Sequence, residues 1–190
     1  MNINKAIRKQ KKIFKRFMLS MSFIFLTLPI VLYFAKTFST FLLIYLGIIE
    51  MLILIVMFVR LNRETLKFEY TSVFKIQNGI FRDRFILICD RVEIIHTSNE
   101  GKDLEIVIIM SSRVRNKRVR RVDSKFLKKH PWANKYYDNF KNVNSNKDYF
   151  YVVIDKGGYS KYKLLDLLYK YCVKAHFTEE AIRRIKEYRN

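Results

Sequence analysis

The sequence predicts an α+β chain: a two-helix transmembrane hairpin followed by an antiparallel curved sheet or partial barrel with C-terminal helices. Three observations lead there. Two long apolar runs stand almost end to end between Phe17 and Val59, the apolar period shortens to that of strands from Leu66, and it lengthens to that of helices from Ser160. A near-neutral mean hydropathy of −0.07 conceals this partition.

The first run, FMLSMSFIFLTLPIVLYFA from Phe17 to Ala35, carries no charge; the second, FSTFLLIYLGIIEMLILIVMFV from Phe38 to Val59, carries only Glu50. At about 1.5 Å per residue each reaches about 28 to 33 Å, the thickness of a bilayer's hydrocarbon core. Only Lys36 and Thr37 separate them, so the helices turn tightly and run antiparallel. Lys5, Arg8, Lys9, Lys11, Lys12, Lys15 and Arg16 precede the first run, and Arg60, Arg63 and Lys67 follow the second, against Lys36 alone at the tip. Because Lys and Arg stay on the cytoplasmic side during insertion, both termini are expected in the cytoplasm and the hairpin in the plasma membrane. A cleaved signal peptide fits less well, since YFAKTFST has no small-x-small site and a second apolar run follows at once. The expected organisation is a basic N-terminus over 1–16, the hairpin over 17–59 and a cytosolic domain over 60–190, with an insertion at about 111–148.

Pro29 removes one backbone donor from the first helix and is expected to bend it. Glu50 lies too deep to reach the interface, where an ionised carboxylate is costly. It is either a proton or cation site, a polar contact holding an oligomer, or a protonated acid hydrogen-bonded to Ser20, Ser22 or Thr27 of the neighbouring helix.

Beyond the hairpin, LKFEYTSVFKI, IFRDRFILIC, RVEIIHTS and LEIVIIM are rich in β-branched and aromatic residues. Gln77-Asn78-Gly79, Asp90 and Asn99-Glu100-Gly101-Lys102-Asp103 separate them as turn signals, giving a meander of about four strands. Alternation puts Phe81, Asp83, Phe85, Leu87 and Cys89 on one face, Val92, Ile94 and His96 on another, and Leu104, Ile106, Ile108 and Met110 on a third. Ile86, Ile88, Ile95, Val107 and Ile109 make the opposite faces apolar too, so the sheet is either covered twice or curled into a barrel. DYFYVVID reads as a fifth strand ended by Gly157-Gly158. Ser160 is placed to cap a helix carrying Leu164, Leu168 and Tyr171, and Thr178 to cap a second beginning Glu179-Glu180. Cys89 and Cys172, far apart in apolar surroundings, read as reduced core thiols.

The chain has 37 Lys and Arg against 17 Asp and Glu, a formal charge of +20. Beyond Val59, 29 cations face 16 acids, a net +13, so the excess is not confined to the anchor. It concentrates in SSRVRNKRVRRVD, residues 111 to 123, through Arg113, Arg115, Lys117, Arg118, Arg120 and Arg121. These are the candidate anion-binding residues, and two anions suit them. A domain tethered at Arg60 lies within a Debye length or two of an anionic leaflet, where each Lys or Arg contributes about 1 kcal/mol. Nucleic acid would use the same cations, with aromatic platforms between them; none of the interleaved residues is aromatic, although Trp132, Tyr136 and Tyr137 follow. A solvated, positive-inside loop without a ligand is the plain alternative.

Traces of catalysis are lacking. His96, His130 and His176 have no metal-ligand spacing with each other or the cysteines, Gly157-Gly158 lacks a following Lys-Ser/Thr, and no nucleophile stands in an elbow. Asp83, Asp90 and Glu93 are explained by surface pairing with Arg82, Arg84 and Arg91. No cofactor, metal or catalytic residue is expected.

The hairpin, then FKIQNGIFRDRFILICDRVEIIHTS with Gly79 between strands, then a last helix opening FTEEAI, resembles the bacterial membrane-anchored pleckstrin-homology-like domains. The likeness covers the hairpin and roughly residues 66 to 110; the insertion at 111 to 148 departs from it. It implies a small curved sheet with a helix across one end, no catalysis, and binding of lipid or protein at the membrane. The expected function is a non-catalytic, membrane-anchored binding or scaffold protein whose basic domain contacts anionic phospholipid headgroups, a protein partner or a second copy. The alternative is a membrane-tethered nucleic-acid-binding accessory protein.

Overall fold

The computed structural model describes residues 3–36, 39–80, 84–98, 104–114, 116, 118–134, 136 and 148–190. Phe81, Asp83, Arg115, Lys117, Tyr137 and the Asn99–Asp103 turn, all singled out above, lie outside them. In chain order the elements are α1 (Ile3–Phe34), α2 (Thr40–Glu64), β1 (Leu66–Tyr70), β2 (Phe74–Asn78) and β3 (Phe85–Leu87). A 3-10 turn (Cys89–Arg91) leads to β4 (Val92–Ser98), β5 (Glu105–Met110), β6 (Arg120–Arg121), α3 (Ser124–Lys129) and β7 (Phe150–Ile154). The chain closes with α4 (Ser160–Tyr171), β8 (His176–Phe177) and α5 (Glu179–Arg189).

Both N-terminal helices are long and apolar enough to cross a membrane. Leu19, Phe34 and Phe41 expose about three quarters of their surface, as expected of side chains whose solvent is lipid. Pro29 lies inside α1 without ending it. α1 begins at Ile3, whose side chain is buried, and α1 touches α5.

The domain contains two sheets. β1, β2 and β3 form an antiparallel one, because Thr71-Ser72-Val73 turns the chain and splits the LKFEYTSVFKI run into two strands. The second sheet is mixed, in the order β6-β7-β5-β4-β8, with β8 parallel to β4 and the other pairs antiparallel. Its two faces feed two cores. Ile106, Ile108, Met110, Val152 and Ile154 join Phe74, Ile76, Phe85 and Leu87 of the first sheet and Leu164, Leu165 and Leu168 of α4. Val107 and Ile109 on the opposite face pack under Val122, Phe126, Ala133 and Tyr149. The sheet is therefore covered twice, and residues 122–133 of the expected insertion form part of the second cover.

Three expectations need correction. Val92 does not share a face with Ile94 and His96: a register shift between Val92 and Ile94 sends Val92 and Ile95 to the first core and Ile94 to the second. Ser160 is the first helical residue of α4, not its cap; the cap position is Tyr159, which makes no side-chain capping bond. Cys89 and Cys172 are not separate thiols but a disulfide, with S–S 2.18 Å and Cα–Cα 4.6 Å. The fold sets the 3-10 turn after β3 against the end of α4, which brings together residues 83 apart in sequence. Thr178 does cap α5, its hydroxyl accepting from the Ala181 N–H at 3.5 Å.

The hairpin and the domain meet at one junction. The Gly157 N–H donates to the Arg63 carbonyl of α2 (3.0 Å), and the Tyr159 N–H donates to Gln10 Oε1 of α1 (2.9 Å). The Gln10 amide in turn donates to Glu64, which Arg60 pairs at 3.2 Å. Gly157 has φ +97°, and a Cβ there would collide with the Leu66 side chain at the start of β1. Gly157→Ala therefore combines a left-handed backbone strain with a clash and should cost about 2 kcal/mol or more. Chemical denaturation of the full-length protein checks this: a variant unfolding at the wild-type midpoint would contradict the tight fit.

Candidate anion-binding cleft

β6 pairs with the first half of β7, Arg120 opposite Tyr151 and Arg121 opposite Phe150. Asp123 then starts α3 by accepting from the Phe126 N–H at 2.8 Å, the normal role of an acid at a helix N-cap. That start buries Phe126 against Tyr151, ring centroids 4.0 Å apart, and leaves Lys125 and Lys129, four residues apart, on one side of the helix. Between α3 and the sheet opens a cleft of about 530 Å³. Its walls carry Arg118, Arg120, Arg121, Lys125 and Lys129; its floor has Tyr151, Val153 and Glu105. Asp123 and Asp155 complete the rim.

The carboxylates do not cancel the cations evenly. Asp123 accepts from the neutral Phe126 N–H and Asp155 from the neutral Asn78 amide at 2.8 Å, so both keep their charge, and with Glu105 they set three carboxylates against five cations. Arg121 is paired with Asp148 at 2.5 Å on the surface. Arg118, Arg120, Lys125 and Lys129 are thus the cations best placed for an external anion.

Of the six cations expected to form the site, the structure brings Arg118, Arg120 and Arg121 into the cleft. Arg113 is exposed and outside its lining, and Arg115 and Lys117 fall among the residues not described. Lys125, Lys129 and Tyr151 are members that the run of arginines did not reveal. The available signal was the Asp123 cap, which sets the helix phase and so the direction of both lysines.

The cleft reaches the junction at one end. Asp155 lies two residues before Gly157, a reach of at most about 7 Å. Asn78 ties β2 to this point, donating to the Val153 carbonyl (3.3 Å) and accepting from the Lys156 N–H (3.1 Å). Lys161, fully buried, donates to the Asp155 carbonyl at 2.9 Å. This lysine is thus a structural brace on the cleft's inner end. Counting helical rise from Phe17 back to Gln10 and from Val59 on to Glu64 puts the junction about 8 to 10 Å beyond the apolar spans. The first helix gives about 10 Å and the second about 8 Å.

The remaining candidate residues are placed elsewhere. Glu50 makes no hydrogen bond to Ser20, Ser22 or Thr27 among the described residues; the Thr27 hydroxyl donates to the Ile24 carbonyl at 3.2 Å. Asp90 pairs with Lys174 at 2.8 Å rather than with a neighbouring arginine, and this hydrogen-bonded cation holds its carboxyl below the usual range. Among the described residues no group of three His, Cys, Asp or Glu could hold a metal.

His96 and His130 belong to the second core. His96 stacks on Trp132 (centroids 3.8 Å), and its Nδ1 lies 3.0 Å from the Thr178 hydroxyl. Burial, helped by nearby His130, lowers its pKa to about 4. The folded pKa lies below the unfolded one, so this contribution to stability is complete above about pH 6.5 and is lost as pH falls toward about 4. Between pH 7 and 4.5 the full-length protein should lose about 2 to 3 kcal/mol of stability that His96→Gln does not lose. Denaturant midpoints of both proteins at the two pH values check this, and parallel slopes would contradict it.

No protein-family model, no curated protein and no solved structure matches the chain.

Proposed function

We propose that this protein is a non-catalytic, membrane-anchored binding module. Its hairpin spans the plasma membrane with both termini in the cytoplasm, and its cleft binds anionic phospholipid headgroups. A small-sheet domain braced by helices beside a hairpin anchor also fits the membrane-anchored pleckstrin-homology-like type. The observation that carries the proposal is the join between cleft and junction. A cleft with four available cations ends within a few residues of a hydrogen bond to α2, about 8 to 10 Å beyond the apolar spans, which is headgroup depth.

The orientation rests on ten Lys and Arg flanking the two runs on one side against Lys36 on the other. The disulfide pulls the other way, since such bonds persist in oxidising compartments. The charges take precedence because they act during insertion, before the domain folds, whereas the bond depends on where the folded domain then resides. In a reducing cytosol Cys89 and Cys172 would be adjacent thiols at the same place in the fold.

Thermal unfolding of the full-length protein in micelles tests the binding, since a ligand of the folded state raises the transition. Added anionic lipid should stabilise the protein, zwitterionic lipid should not, and salt should weaken the effect. Replacing Arg118 and Arg120 together with Gln should weaken anionic-lipid affinity about thirtyfold, at about 1 kcal/mol per lost cation. Preferential, salt-sensitive stabilisation by single-stranded DNA or RNA would replace this proposal with the nucleic-acid-binding alternative, using the partly exposed Tyr151 as a stacking platform.

A further inference from the structure

We infer that α2 pairs with the α2 of a second copy of this chain, in a parallel contact centred on Gly47 and Glu50. The inference rests on the reading that both long helices span the membrane and is independent of the cleft.

Two residues of α2 have no role that their own chain explains, and they share one face. Glu50 is the first. It stands nine residues before Val59 and twelve after Phe38, about 14 and 18 Å from the ends of its apolar run, so its side chain reaches neither interface. In hydrocarbon a polar group without a hydrogen-bond partner is costly. Among the described residues no hydrogen bond or ion pair reaches Glu50, and the Thr27 hydroxyl is directed to the Ile24 carbonyl of its own helix. Gly47 is the second. Glycine in a helix interior is destabilising relative to alanine, and a close approach of neighbouring backbone is the usual reason to keep one. Here a Cβ on Gly47 would meet nothing within 4 Å, so no neighbour in the chain uses the space. In lipid, a glycine on a helix surface lets a second helix come close.

The two residues lie on one seam. Leu43, Gly47, Glu50 and Leu54 follow one another at steps of four, three and four, the heptad spacing that keeps side chains in line along a left-handed helix pair. Leu43 and Leu54 are exposed. The hairpin's own seam is the neighbouring row, Leu42, Leu46, Ile49 and Ile53 at the same steps, all half-buried. Contact with α1 therefore leaves the Gly47 row open.

A second copy is the occupant that fits. Two copies inserted in the same orientation carry Glu50 at the same depth, and a two-fold axis along the membrane normal sets one against the other. A carboxylic acid has both a donor and an acceptor, so two of them facing each other satisfy each other. Gly47, one turn away, lets the backbones approach closely enough for short side chains to meet. An unrelated helix would have to bring a polar group to this depth, whereas a second copy brings one by symmetry.

Full-length protein, labelled at the C-terminus with a donor dye in one batch and an acceptor dye in another, is reconstituted jointly in phosphatidylcholine vesicles at falling protein-to-lipid ratios, and energy transfer is read. The wild-type protein should associate. Glu50→Leu should weaken association about tenfold, and Glu50→Gln, which keeps a donor and an acceptor, should stay within about threefold of wild type. Gly47→Leu, with Glu50 intact, should weaken it as well. Cysteine placement then locates the contact without altering either residue: Leu54→Cys should cross-link two copies on mild oxidation, and Leu52→Cys, exposed on the other side of α2, should not. Monomers at every ratio would overturn the inference and leave this face to a different membrane protein. Undiminished association of Glu50→Leu, or cross-linking through Leu52→Cys in place of Leu54→Cys, would overturn it too. None of these results touches lipid binding by the cleft, whereas release of the protein from vesicles by carbonate would remove the spanning hairpin itself.

Discussion

The turn at Gly157-Gly158 is the constraint on which the rest depends. A membrane hairpin followed by a soluble domain ordinarily behaves as two bodies on a tether, free to adopt many relative positions. Here the turn fits between the basic ends of both helices, with its amides bonded to the Arg63 carbonyl and, through Tyr159, to the Gln10 side chain. Only a residue without Cβ allows it, because Gly157 combines a positive φ with direct contact on Leu66. The contact between α1 and α5 adds a second point of attachment. Two separated attachments fix rotation as well as distance.

That fixation gives the cleft its meaning. Cations on a freely moving domain would average over all orientations, and the membrane would select among them weakly. On a docked domain the same cations hold a set position relative to the two long helices. β7 transmits the position: its end is braced by Asn78 from one sheet and by buried Lys161 from α4, and its outer face is the floor of the cleft. The covering layer of α3 and Trp132 does more than shield the second apolar face of the sheet, because it also supplies the lysine wall.

Much of this was legible in the sequence, and the limits have physical causes. Uncharged length revealed both long apolar helices, alternation in LEIVIIM placed Ile106, Ile108 and Met110 on one face, and the Thr178-Glu179-Glu180 signal located α5. These are local rules in which near neighbours determine the outcome. Val92 escaped because a bulge inverts the period, and a bulge leaves no mark in a single sequence. The Cys89–Cys172 pairing, the parallel placement of β8 and the docking of Gln10 onto Tyr159 are non-local, set by how distant segments fold against one another. For the cleft, the arginine run gave one wall. The other required knowing that Phe126 turns inward onto Tyr151, which leaves Lys125 and Lys129 facing the opening.

Hydrogen exchange at the junction, measured on the full-length protein in a bilayer, tests the central claim most directly. If the hairpin and the domain are one body, the Gly157 and Tyr159 amides are protected to the degree of the central strand amides of β5, because releasing them requires undocking the domain. Exchange at these two amides as fast as in an unstructured chain, with β5 still protected, would show a tethered domain and contradict the account.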